Sequence, residues 1–150
     1  MNEKSIALAS ILIVSCSIGS ASASQLFLTC NTQEEIKTVT AEGAIVQDDW
    51  SNLRHEIEIN GPNYQLTTIL PNGPEANVVG TVLATATKFI LQPSNIRNQS
   101  NSIIKSESYI NRVTGDYTSI TLLGNDSTRT ITSISTQGPC IVAQKPKTKF

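Results

Sequence analysis

Between Leu53 and Ile59 the chain alternates strictly between core-type and polar positions. Leu53, His55, Ile57 and Ile59 fall on one face of an extended segment, and Arg54, Glu56 and Glu58 fall on the other. A period of two predicts a half-buried strand. Asn60-Gly61 then gives a hairpin signal, loosened by Pro62, and Tyr64–Leu70 reads as the return strand. Weaker versions of the pattern recur at Gln25–Thr29, at Ile36–Val46 (broken near Gly43), at Val78–Leu91, Ile103–Arg112, Asp116–Leu123 and Thr128–Thr136, and at a last short piece, Cys140–Ala143. Between them lie Pro71-Asn72-Gly73-Pro74, the polar stretch Gln92–Ser102, Val113-Thr114-Gly115, Gly124-Asn125-Asp126-Ser127 and Gly138-Pro139. Gln47–Asn52 is polar and reads as a connection. About eight strands with turn signals at intervals of roughly 8–14 residues, and no convincing helix, predict an all-β domain: one small antiparallel barrel or sandwich.

The start of the chain has a different texture. Met1–Lys4 is polar, Ser5–Ser15 is mostly apolar, and Ala21-Ser22-Ala23 offers small residues at a cleavage site. This is the layout of a secretory signal peptide. It predicts a signal over 1–23, a β domain over 24–144 and a basic tail over 145–150, with the protein exported to the periplasm or secreted. The apolar run is about half the roughly 20 residues a membrane-spanning helix needs. Cys16 opens a second reading. Ile13-Val14-Ser15-Cys16 resembles a lipobox, in which case the cysteine is lipidated and the domain is tethered to the envelope.

Without residues 1–23, two cysteines are left, Cys30 and Cys140. An even count in an oxidising compartment predicts a disulfide. It would join the first strand to the last and close a loop of about 110 residues, worth ~4–5 kcal/mol in the chain-entropy description. With one histidine in the chain, the two thiols make a poor metal set.

Composition adds bounds. Charged residues are 15% of the 150, and the formal net charge is −1, which argues against a nucleic-acid partner. The charge is unevenly spread. Glu34, Glu35, Glu42, Asp48, Asp49, Glu56, Glu58 and Glu75 face only Lys37 and Arg54 in the first half, whereas basic groups dominate after residue 76. Either the surface is dipolar and steers a charged partner, or the two halves pair across one sheet.

Candidate chemistry is sparse. His55 shares its face with Leu53, Ile57 and Ile59, which predicts a packed histidine rather than a catalytic one. Glu56 and Glu58 stand ~7 Å apart on one strand face, with Arg54 beside them as a salt-bridge partner. Asp48, Asp49 and Trp50, the last being the only tryptophan, form the candidate binding surface, with the alternative that Trp50 caps the core. There is no Gly-x-Ser-x-Gly turn, no phosphate-cradling loop and no metal-ligand spacing, so no cofactor is expected. Asn98-Gln99-Ser100 and Asn125-Asp126-Ser127 match the glycosylation pattern.

Leu28-Thr29-Cys30, Ile110-Asn111-Arg112-Val113-Thr114-Gly115-Asp116-Tyr117 and Gly138-Pro139-Cys140 together resemble a group of small exported bacterial β-domain proteins of unknown function. Read locally, the middle segment is a hairpin staple in which Arg112 faces Asp116. The resemblance implies a compact bridged β domain and no particular reaction. The functional expectation is a non-enzymatic binding or structural protein of the bacterial envelope, its partner an envelope protein or a small ligand. The alternative is a small inhibitor of a secreted hydrolase such as a lysozyme or protease. A third reading, an enzyme acting through His55, requires a nucleophile and an orienting group around that ring.

Overall fold

The computed structural model describes residues 25–73, 76–94 and 102–144. The signal segment, Cys16, Glu75, Asn98 and the basic tail lie outside these residues. The described chain forms eight strands: β1 (Leu26–Thr40), β2 (Ile45–Asn60), β3 (Asn63–Ile69), β4 (Ala76–Ala84), β5 (Lys88–Pro93), β6 (Ser102–Asn111), β7 (Asp116–Asn125) and β8 (Thr130–Ala143). Each pairs antiparallel with the next, and β8 pairs with β1, so the sheet closes into an up-and-down barrel. Closure removes the sheet edges that an open sandwich would leave.

The strand boundaries differ instructively from the sequence reading. Leu26–Thr29 of the first predicted strand and the start of Ile36–Val46 belong to one long strand, β1. The polar Gln47–Asn52 is not a connection but the first half of β2, paired residue by residue with Gln33–Thr38. Conversely, Val78–Leu91 is two strands. Its turn carries no Gly, Pro or Asn. Thr85 supplies the chemistry instead, its backbone N–H and its hydroxyl both donating to the Lys88 carbonyl while the Lys88 N–H donates back to the hydroxyl. A threonine staple of this kind leaves little trace in a turn-residue reading.

Cys30 and Cys140 face each other across the β1–β8 seam and are joined by a disulfide. Just above it the two strands come unusually close. A Cβ on Gly138 would sit 2.1 Å from the Asn31 carbonyl oxygen and 2.7 Å from the Thr32 Cα, so only glycine fits. The Gly138-Pro139 pair is therefore not a break between two strands but a tight passage within β8.

Inside the barrel, the end bearing the β2–β3, β4–β5 and β6–β7 turns is packed solid. Leu28, Cys30, Ile57, Ile59, Tyr64, Leu66, Leu91, Ile110 and Tyr117 form the buried cluster, and Leu26, Val78, Val82, Phe89 and Cys140 pack against it. The Tyr64 ring lies across Gly80, where a Cβ would come within 2.7 Å of it. The hairpin after Ile110 closes this end. Asn111 accepts the Val113 and Thr114 N–H groups on its side chain, Gly115 takes a left-handed φ of 80°, and its carbonyl accepts the Cys140 N–H. Arg112 does not turn toward Asp116. Its guanidinium lies 4.8 Å over the Phe89 ring and donates to the Thr85 carbonyl, tying the two turns at this end together.

At the other end the strands are unequal. β2 pairs with β1 from Ile45 onward but with β3 only from Arg54. Likewise β6 pairs with β7 from Ser102 but with β5 only over Tyr109–Asn111. A five-stranded extension, β6-β7-β8-β1-β2, thus rises beyond the shorter β3, β4 and β5.

Candidate functional site: the barrel lumen

The interior above the apolar plug is a cup of about 360 Å³. An eight-stranded barrel is just wide enough to be filled by side chains or to hold one small ligand. Which outcome occurs depends on the size of the inward residues, and here they shrink. The register brings Ser106, Ser108, Ser119, Thr121 and Thr136 into the positions that Ile110, Tyr117 and Cys140 occupy below. Serine and threonine are too short to meet at the axis, so space is left. The cup is also lined by Glu34, His55 and Thr68, over a floor and walls that include Leu66, Val78, Leu91, Ile103 and Ile134.

The polar groups form ordered cross-strand pairs. Ser108 and Ser119 hydroxyls are 2.8 Å apart, those of Ser106 and Thr121 3.2 Å, and the Thr136 hydroxyl donates to Glu34 Oε2 at 3.3 Å. Above the cup, Thr38 is buried, donating to Gln47 Oε1 and sharing a bond with the Thr132 hydroxyl at 2.9 Å. Tyr117 sits between plug and cup. Burial pushes its phenol up, and the negative charge of Glu34 adds to this, while the hydroxyls of Ser119 and Ser108 oppose it. Tyr64 is raised to about 12, by burial first and by Tyr117 second.

His55 is buried on the face its alternation predicts, with Leu53, Ile57 and Ile59. Its Nδ1 shares a 2.9 Å hydrogen bond with the Thr68 hydroxyl, directly across the β2–β3 ladder, and its ring tilts against Tyr117 with centroids 5.2 Å apart. Nε2 is buried without a hydrogen-bond partner. Burial holds the ring's pKa below the ordinary histidine value. A hydroxyl beside an imidazole is half of a nucleophile–base device. The other half is a group that orients the base through its second nitrogen, and that nitrogen here meets nothing.

No protein-family model matches this sequence, and no curated protein does either. The site therefore rests on its own geometry.

The remaining sequence candidates lie outside the cup. Arg54 and Glu56 form an exposed salt bridge at 2.8 Å, and Glu58 accepts a hydrogen bond from Gln25. Asp48, Asp49 and Trp50 do not form one surface. The pleat sends Asp48 and Trp50 to the outer face of the extension, opposite Lys37 and Glu35, and turns Asp49 to the inner face, opposite Ile36, where it accepts from the Gln47 amide at 2.7 Å. Trp50 is 58% exposed and caps no core. Sequence reading named Glu34 only among the acidic residues of the first half and missed the serine–threonine rows entirely. The available signal was the spacing of Ser106/Ser108 and Ser119/Thr121, two apart on consecutive strands.

Proposed function

We propose that this protein is a non-enzymatic binding barrel that holds a small polar molecule in its lumen, and that it works outside the cytoplasm. The observation that carries the reading is the hydroxyl-lined cup of about 360 Å³ above a packed apolar floor. Cavities of this size, with an apolar base and a few convergent polar groups, suit small ligands. Cup and plug share one rigid closed sheet, so little ordering cost accompanies binding. The isolated His55–Thr68 pair, with no third group on Nε2, favours binding over turnover. The signal-like N-terminus, the resemblance to small exported bacterial proteins and the disulfide across the seam support an envelope location.

The test is a thermal-shift screen of the disulfide-bonded protein against small polar metabolites, repeated on Ser119→Leu, whose longer side chain fills the cup. Hits that raise Tm in the parent, vanish in the variant and are recovered chemically unchanged support the reading. Hits that survive the filled cup, or that are consumed, overturn it.

A further inference from the structure

We infer that the molecule held in the cup is a small organic cation, an ammonium or amidinium head on a short apolar body, with Glu34 as its counter-charge. This deepens the binding reading and rests on it.

Three observations lead there. The first is charge. Among the described residues lining the cup, Glu34 carries the only formal charge, and no lysine or arginine answers it. Its one hydrogen-bond donor among the described residues is the Thr136 hydroxyl, at a long 3.3 Å, which leaves most of the carboxylate's acceptor capacity unused. A carboxylate in a partly enclosed site attracts a cation more strongly than one in bulk water does.

The second is the balance of donors and acceptors. Each hydroxyl brings one proton and two lone pairs. In each of the pairs Ser106–Thr121 and Ser108–Ser119 one hydroxyl donates to the other, which uses one proton and one lone pair and leaves one proton and three lone pairs. What such paired rows have left over is mostly lone pairs. A cup rich in acceptors is complementary to a ligand rich in N–H donors, and an ammonium or amidinium is that ligand. A carboxylate or phosphate would meet the like charge of Glu34.

The third is the buried Nε2 of His55, a residue only 4% exposed, which lines the same cavity and has no partner. An unpaired buried polar atom costs about 1–3 kcal/mol, a cost relieved when a bound molecule supplies the missing partner. The apolar wall of Leu66, Val78, Leu91 and Ile134 accounts for the ligand's body. A metal ion fits poorly. No group of three or more His, Cys, Asp or Glu is placed to hold one among the described residues, and a lone carboxylate among hydroxyls lacks the charge that calcium sites use.

The experiment is isothermal titration of the full, disulfide-bonded chain with a matched panel: butylamine and 2-phenylethylamine, the corresponding alcohols, and butanoate and 3-phenylpropanoate. Amide and imidazole NMR shifts at Glu34, His55 and Ser119 locate the binding. The expected result is that the amines bind at least tenfold more tightly than the alcohols and that the carboxylates do not bind. Glu34→Gln removes the amine advantage, and a Tm close to the parent's shows that the variant folds. Equal binding of amines and alcohols, preference for carboxylates, or an amine advantage that persists in Glu34→Gln overturns the assignment. If alcohols or carboxylates shift the lumen residues without that preference, the cationic ligand is wrong and the binding cup stands. If no panel member and no screened metabolite shifts them, both fall.

Discussion

The two ends of the barrel use the same eight strands and opposite strategies. At the turn-closed end, inward positions carry Leu, Ile, Tyr and Phe, and the interior is full. At the extended end many of the inward positions carry Ser, Thr and Glu, beside Ile103 and Ile134, and the interior is a cup. Hydrophobic burial and close packing stabilise the first, and the second contributes little beyond satisfied hydrogen bonds. A fold built only for stability would fill both halves. On the proposed reading, the lower half maintains the shape of the upper one, and stability and binding are separable by position along each strand.

The separation is broken most severely at the seam. Replacing Cys30 and Cys140 together by Ser frees a loop of about 110 residues in the unfolded chain, and a loss of ~4–5 kcal/mol is expected in urea denaturation. The β1–β8 ladder runs on both sides of the bridge, from Phe27↔Ala143 to Thr40↔Thr130. The native barrel should therefore stay closed, and ligands of the cup should still bind the folded fraction. A reduced variant that folds but binds nothing would show that the bridge shapes the cup directly.

A sharper contrast comes from single side chains. Ile57 is 1% exposed in the middle of the plug, and Ile57→Ala should cost about 2–5 kcal/mol through lost burial and a residual cavity. Ser106→Ala, which breaks one hydroxyl pair at the exposed rim of the cup, should cost about 1 kcal/mol or less. Equal losses at the two positions would mean that the cup is as much a structural core as the plug.

His55 lies on the boundary. Thr68→Val removes its one partner and leaves both ring nitrogens buried and unpaired, so a loss of about 1–2 kcal/mol is expected. The pH dependence has a definite sign. Because burial lowers the folded pKa, the folded state holds fewer protons than the unfolded state in the window below about 6.5. Stability should be flat above that value and should fall as pH drops through the window. With no second histidine in the chain, Tm measured between pH 7.5 and 5.5 should decline in the parent and flatten in His55→Gln. A parent that is flat, or more stable at pH 5.5, would place the ring in water or beside an anion.

How much of this could be read in the sequence follows the same division. The all-β class, the Cys30–Cys140 bridge and the buried face of His55 were legible because an apolar side alternated with a charged one, as in Leu53–Ile59. The cup was not. In Lys105-Ser106-Glu107-Ser108 the inward and outward residues are all polar, so the period-two contrast that marks a core face disappears where the lumen becomes hydrophilic. The same loss of contrast made Gln47–Asn52 look like a loop. Glu34 was hidden for another reason: nothing in Thr32-Gln33-Glu34-Glu35 tells which glutamate faces in, until pairing with Thr136 and Ser51 fixes it.

The smallest expected effect tests whether the extension belongs to either half. Trp50 stands on the outer face of β2, where Ile45–Leu53 have no partner on the β3 side among the described residues. Its ring touches neither plug nor cup, so Trp50→Ala should change stability by no more than about 0.5 kcal/mol and leave lumen binding untouched. Asp49→Ala is the control one residue away, on the inner face, where it removes the acceptor for Gln47 and loosens the support beneath Thr38. If binding follows Asp49 and ignores Trp50, the inner face of the extension is the upper wall of the cup. If it follows Trp50 instead, the ligand lies outside the barrel, and the division into a stabilising half and a binding half has been drawn along the wrong axis.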